Sequence, residues 1–431
     1  MSSAYTQGLL TPVADETDAV DLAVRGRIPA ELTGRYFRNG PNPPPGRDAA
    51  HFFGGDGMIH GVRLRDGRAE WYRNRWVRTA KLAGEPRWTE DGPDLRVASA
   101  NTHVIRHAGK IFALVEAGLP YEMTPELETV GPWDYGGRLT TAMTAHPKED
   151  PVTGDLHVFG YGRVPPHLTY HRITAAGELA ESRHVEVPGP TMMHDFAITE
   201  SFVVWLDLPA VLDGDPRAPG LPYRWDDDYG ARLGVMPRGG GDVRWFEIEP
   251  CYVFHVGNAY EQDGKIVLDA VRYSRLQFKT MWGEISRSSN PAAETGGTTL
   301  HRWTLDPGTG AVAEDRLDDR MVEFPTVNDD RVGRPSRFLY TVTEREIVKY
   351  DTVSGAVSVH DPGRQPSEAE FVPRANARTE DDGWLMSIVT RHDMSGSELL
   401  VLDARDLEPV ASVELPRRVP MGFHGNWLPD A

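Results

Sequence analysis

Four histidines stand in settings that suit a metal: His146 in TAHPK, His194 in MMHDF, His255 in FHVGN and His424 in GFHGNW. Each is flanked by apolar or small residues instead of a run of charge, which predicts burial. A neutral imidazole is a good ligand for iron, zinc, copper or nickel, so four converging imidazoles would make a metal centre without naming the metal. Taken singly, a histidine among apolar neighbours is more often a hydrogen-bonded core residue than a ligand. Other histidines, such as His157, His171, His301, His360 and His392, lie in polar or strand-surface contexts and read as solvated. Cys251, the single cysteine, precedes His255 on the same face of an alternating strand but too far along to share one metal easily; it reads as core.

The elements that must position these residues read as strands. Short apolar, alternating runs sit between Gly, Asp, Asn and Pro clusters: Gly109–Glu116, Asp155–Tyr161, Phe202–Leu208, Gly264–Ala270, Arg337–Thr343 and Gly383–Thr390. Helical periodicity is confined to stretches near Asp15–Val24 and Ser274–Ile285. A local pattern recurs in Thr169–Gly177, Thr299–Gly310 and Ile347–Gly355, and more weakly in Glu398–Asp406: an apolar residue, a basic–aromatic or similar pair, then a turn ending in Gly. It reads as the outer strand of a repeated sheet unit. Many short strands with an uneven repeat favour an all-β β-propeller over two stacked sandwiches. No Pro/Ser-rich linker divides the chain, so residues 1–431 are expected to form one domain.

Bulk composition narrows the partners. Asp plus Glu number 64 against 46 Lys plus Arg, a formal charge of −18, which repels phosphates and argues against a nucleic-acid partner. One cysteine permits no intrachain disulfide, and the N-terminus shows no basic region followed by an apolar run, so the cytoplasm is the expected location. Contact with a membrane surface stays open on this reading, and oligomeric state is not legible.

The motifs, taken together and in order, resemble the carotenoid cleavage oxygenase family, which includes carotenoid and apocarotenoid oxygenases, stilbene-cleaving dioxygenases and the visual-cycle isomerase. The resemblance spans nearly the whole chain: GRYFRNGPNP at Gly34–Pro43, HFFGGDGMIH at His51–His60, YRNRWVRT at Tyr72–Thr79, the four histidine motifs, GARLGVMPR at Gly230–Arg238 and EFP at Glu323–Pro325. It implies a seven-bladed propeller capped by loops and short helices, with Fe(II) on the axis held by His146, His194, His255 and His424. It also implies three glutamates behind the histidines, matched here to Glu116, Glu323 and Glu368. The last match is imperfect, because Ala369 stands where the family usually has Pro, and Glu370 competes for the role. Thr102, in SANTHV, matches a family threonine near the vacant coordination position.

An independent check supports this set. The seven residues are spaced by roughly 30 to 70 positions, averaging about 50, close to the length of a propeller blade. A ligating imidazole commonly passes its second N–H to a carboxylate, which fixes tautomer and orientation. The glutamates would do this, and would add negative charge beside a first shell that is otherwise neutral.

The resemblance implies cleavage of a conjugated C=C bond by O2 into two carbonyls, a reaction balanced in electrons without NADH or flavin. No dinucleotide fingerprint is present at a strand–helix junction, in keeping with this. Stilbene-cleaving relatives usually carry a lysine where this chain has Val115, and often a tyrosine where it has Trp76. Both changes remove polar handles and favour an apocarotenoid or related polyene, with a smaller aryl alkene (stilbenoid or phenylpropanoid) as the alternative. Phe53 and Phe423 join Trp76 and Val115 as candidate pocket residues. A non-catalytic propeller scaffold is the alternative of a different class; it gives no reason for blade-spaced His and Glu.

Overall fold

The predicted alternating runs are strands in the computed structural model: Lys110–Leu114, Leu156–Tyr161, Phe202–Asp207, Lys265–Tyr273, Phe338–Val342 and Gly383–Thr390. The structure describes residues 7–47, 51–215, 217, 222–279 and 297–430. Its strands fall into seven antiparallel sheets, the blades of a seven-bladed β-propeller, beside two short two-stranded ribbons. Among the described residues helix is confined to single turns at Gly8–Leu10, Phe52–Gly54 and Asp329–Arg331 and a short segment at 275–279.

Contacts group the chain into two units, residues 134–336 and the remainder. The first unit holds three consecutive four-stranded sheets. They are Lys148–Glu149, Leu156–Tyr161, Leu168–Ile173 and Leu179–Val185; then Ala197–Ile198, Phe202–Asp207, Arg232–Pro237 and Arg244–Glu247; then Tyr252–Gln262, Lys265–Tyr273, Thr299–Leu305 and Val312–Arg316. Burial falls along each sheet. Leu156–Tyr161 is buried on all but its last residue, whereas Leu179–Val185 exposes Ala180, Ser182 and His184 and half-buries the ion pair of Glu181 and Arg183. Charged side chains on an outer edge discourage pairing with another chain.

The second unit is closed by strand pairing between the ends of the chain. Gly425–Pro429 pairs with Gly34–Pro41 in a five-stranded sheet, and Val24–Gly26 adds to Pro409–Glu414 in another. Ion pairs from Asp430 to the buried Arg63 and to Arg35 fasten the last strand. A core of Ile28, Tyr36, Val62, Tyr72, Met386, Leu399, Val401, Val413 and Trp427 packs these two sheets together.

Two expectations change. The stretch near Asp15–Val24 is not helical: Thr17–Val20 pairs with Trp71–Asn74, and Val24–Gly26 is the edge strand already described. β-Branched Thr17, Val20 and Val24 suit that role, and ladder pairing overrides the weak helical period. The second helix candidate is helical at 275–279, and 280–285 lie outside the described residues. The recurring pattern is also not on outer strands. Leu168–Ile173, Thr299–Leu305, Ile347–Asp351 and Ser397–Asp403 each have a hydrogen-bonded strand on both sides. The pattern marks an inner strand with a neighbour on either side, packed on two faces.

Candidate metal centre

Three of the four histidines occupy equivalent places. His146 stands just before Lys148–Glu149, His194 just before Ala197–Ile198, and His255 lies within Tyr252–Gln262: the first strands of three consecutive sheets. The ladder around His255 is irregular. Register shifts fall between Val253 and Val256 and again between Val256 and Asn258. Such bulges re-aim a side chain relative to strict alternation.

The three imidazoles converge. Their ligand atoms all lie within 4.8 Å of one another, and the Nε2 atoms of His146 and His194 are 3.0 Å apart. Two imidazole nitrogens, each about 2.1 Å from one metal and at right angles, would be separated by about 3.0 Å. The donor set therefore fits a transition metal. Phe254 packs edge-on to His194 at 5.2 Å, and Phe324 stacks on His255 at 5.0 Å, so part of the cluster's surround is apolar.

Behind His255 stands Glu323. Its Oε2 meets His255 Nδ1 at 2.5 Å and accepts from the Phe324 N–H, and its Oε1 accepts from the Tyr273 hydroxyl at 2.5 Å. Phe324 adopts φ +53°, a left-handed conformation costly for a bulky residue. That turn goes with its N–H on the neighbouring carboxylate and its ring against His255. Burial alone would raise the Glu323 carboxyl, but His255, Tyr273 and the Phe324 N–H together hold it below its usual range. The Tyr273 hydroxyl is pushed well up by burial and by that carboxylate.

In the second unit His424 has the same kind of backing. Glu368 Oε1 meets His424 Nδ1 at 2.9 Å, and Glu368 Oε2 accepts from the Gly425 N–H at 2.7 Å. Glu368 is thus the carboxylate on His424, whereas Glu370 starts the strand Glu370–Pro373 and acts electrostatically on the buried Tyr36. Burial would raise Glu368, and His424 with the Gly425 N–H brings it below its ordinary value. The backbone of His424 is pinned as well: its N–H donates to Thr102 O, and its carbonyl accepts from Asn39 N. Gly422 and Gly40 lie against each other, and a Cβ on Gly422 would come within 2.6 Å of Asn39 O.

Phe423 and Phe53 come together beside this group, ring centroids 5.5 Å apart, with Phe52 completing the cluster at 5.0 Å from Phe423. Asn101 holds the Phe53 and Gly55 carbonyls, and Thr102 donates its hydroxyl to Asn101. Val115 is buried just past Lys110–Leu114, and Glu116 follows it in the turn, partly buried. Trp76 belongs to a core cluster with Val13 and Met58, and its indole N–H goes to the Asn42 carbonyl at 2.7 Å.

Three histidines read as solvated are buried instead: His157, His171 and His301. Each has a side-chain partner, Tyr170 at 2.7 Å, Ser182 at 2.8 Å and Glu314 at 2.8 Å respectively. Polar flanks on an inner strand go with partners on the neighbouring strands here. Cys251 is buried, which pushes its thiol up to about 12, and it is not in the histidine cluster. The sequence reading also passed over Asp195 and Lys148, which pair at 2.8 Å, and Tyr273. A charged residue directly after His194 in an apolar run was the available signal.

A β-propeller whose blade-leading strands bring three imidazoles together, one of them backed by a carboxylate, has the donor set of a metal-dependent enzyme. The model of the retinal pigment epithelial membrane protein family (RPE65) matches residues 10–429, and the chain belongs to that family, the carotenoid cleavage oxygenases. It is 43% identical to a carotenoid cleavage oxygenase of Mycobacterium tuberculosis over 99% of this chain and 97% of that protein. It is 34% identical to an isoeugenol monooxygenase of Pseudomonas nitroreducens, over 98% and 97%. Among solved structures it resembles the lignostilbene dioxygenase of Pseudomonas brassicacearum (TM-score 0.87, 30% identity, 99% of each chain). It also resembles a cobalt-substituted apocarotenoid oxygenase of Synechocystis (TM-score 0.84, 29% identity, 97% of each chain). The chain is an enzyme, an oxygenase of the carotenoid-cleavage type. No helix among the described residues is long and apolar enough to cross a membrane.

Proposed function

We propose that this chain is a non-heme Fe(II) dioxygenase that cleaves one conjugated C=C bond of an apocarotenoid or related polyene with O2, giving two carbonyl products. The observation that carries the reading is the convergence of His146, His194 and His255 in a member of this oxygenase family. His424, carboxylate-backed like His255, is the fourth ligand on this reading, and Glu116 supports one of the others as Glu323 and Glu368 support theirs. Iron(II), when bound, supplies the binding and activation of O2 beside the alkene.

The protein's own share is orientation and exclusion of water. Glu323 and Glu368 engage Nδ1 of their histidines, which makes Nε2 the ligating atom on this reading. Phe53, Phe423 and Val115 offer apolar surface suited to a polyene, and no side chain is required as a nucleophile. A smaller aryl alkene is the second reading, favoured by the isoeugenol monooxygenase and lignostilbene dioxygenase relatives.

The test is metal content, then Fe(II) reconstitution and an assay under ¹⁸O2 offering an apocarotenal and a hydroxystilbene side by side. About one iron per chain, its loss in His194→Ala and label in both carbonyl products of the apocarotenal are expected. Turnover of the stilbene alone would move the substrate to the second reading. Label in one product only, under slow exchange, would make the enzyme a monooxygenase. No iron uptake by well-folded protein would sink the oxygenase mechanism.

A further inference from the structure

The residue after His194 reaches more of the histidine-bearing segments than Glu323 or Glu368 does. Asp195 is almost fully buried, with 1% of its side chain exposed. Its Oδ1 accepts from Lys148 Nζ and from the Phe196 N–H, both at 2.8 Å, and its Oδ2 accepts from the Val256 N–H at 2.8 Å. Lys148 lies two residues after His146, and Val256 directly follows His255. One carboxylate therefore touches all three ligand-bearing segments: its own, that of His146 through Lys148, and that of His255 through a backbone N–H.

The geometry points to the Lys148–Asp195 ion pair as the positioning element that sets the mutual spacing of His146, His194 and His255. This rests on the reading of the cluster as a metal site. The physical case is one of connectivity. Hydrogen bonds from Tyr273 and Phe324 to Glu323 orient a single imidazole, His255. Asp195 instead ties three chain segments belonging to three separate sheets, and a charge-assisted bond in a dry setting is both short and directional. The register shifts on either side of Val256 leave that stretch poorly defined by its own ladder, so an outside acceptor on Val256 N–H supplies what regular pairing does not. A buried carboxylate with its cation removed is strongly disfavoured, so losing Lys148 should let the Asp195 segment relax and carry His194 and Val256 with it.

The test uses the full chain loaded with Co(II), whose d–d absorption reports ligand geometry. Metal affinity is measured by competition with a chelator, and folding by circular dichroism and melting of the metal-free protein. Lys148→Met, which keeps the stem and removes the charge, is expected to weaken Co(II) binding about 10–100-fold and to shift the d–d bands. Lys148→Arg should recover most of the affinity. Lys148→Gln, polar but neutral, should fall between them.

A folded Lys148→Met protein with wild-type affinity and an unchanged spectrum would overturn the proposal. So would failure of both neutral variants to fold, which would make the pair a requirement of the fold instead of ligand spacing. Wild-type protein that takes up no Co(II) or Fe(II) would defeat the metal-site reading itself, an outcome separate from equal binding by wild type and variant.

Discussion

Each unit of the molecule holds a histidine backed by a carboxylate and another backed by a phenol, and the unit 134–336 holds a second carboxylate-backed ring in His301, which faces Glu314. His255 faces Glu323 and His157 faces Tyr170 in one unit; His424 faces Glu368 and His60 faces Tyr72 in the other. All four bonds use Nδ1, and burial alone does not separate the pairs: His60, His157 and His424 are all buried. The partner's charge does. A carboxylate sharpens an imidazole as a ligand and favours a cation near it. A phenol satisfies the ring and leaves it neutral, so burial drives His157 and His60 down to about 3. Burial thus marks a histidine as structured, and a carboxylate marks it for the cluster only on a first strand: His301 also faces a carboxylate, Glu314, but stands on Thr299–Leu305, outside the group of His146, His194 and His255.

The comparison is most sharply tested by Glu368→Ala. This strands His424 Nδ1 and the Gly425 N–H together, so metal affinity should fall about 10–100-fold. Stability should drop by about 1–3 kcal/mol for each buried group left without a partner, read by chelator competition and thermal melting.

Tyr170→Phe should give the opposite split. It leaves His157 Nδ1 without its partner at a cost of about 1–3 kcal/mol, with metal affinity unchanged. Loss of metal in that variant would erase the distinction between the two kinds of pair.

The smallest effect is the pH dependence of the phenol-backed pairs. Their folded pKa lies below the unfolded value, so the folded state binds fewer protons. Their stability contribution is complete above about pH 6.5 and is lost as pH falls toward 3. Between pH 7.5 and 6 each should cost about 0.8 kcal/mol. His157→Gln should flatten the slope of melting temperature against pH by one group's share, and an unchanged slope would show that His157 does not titrate as a buried neutral ring.

Much of this was legible in the sequence, for a physical reason. The strand runs are set by local alternation and turn residues, and the histidine motifs by apolar flanks, both readable over a few positions. What escaped was partnership over distance. His157, on a polar-looking strand, is satisfied by Tyr170 across the ladder, and flanking residues cannot show that. The N-terminal segment looked weakly helical because its ladder partners lie about 50 or more residues away, and beyond 400 in the chain. Glu368 and Glu370 could not be ranked by motif, since only the returning Gly425 N–H and His424 ring distinguish them. Asp195 was hidden for the same reason, since its importance lies in three contacts and two of them come from other sheets.

The strand Gly425–Pro429, clasped to Gly34–Pro41, makes His424 the last of the four histidines to leave the ribosome, one residue ahead of the strand that anchors it. The ion pair that fastens this strand spans 367 positions, so closure is a high-contact-order event that follows the local sheets. A nascent chain can therefore gather His146, His194 and His255 within one contiguous stretch while the Glu368–Gly425 bond still awaits the final strand. Synthesis order thus lets three imidazoles meet inside residues 134–336 before the carboxylate-backed His424 has the strand that holds it.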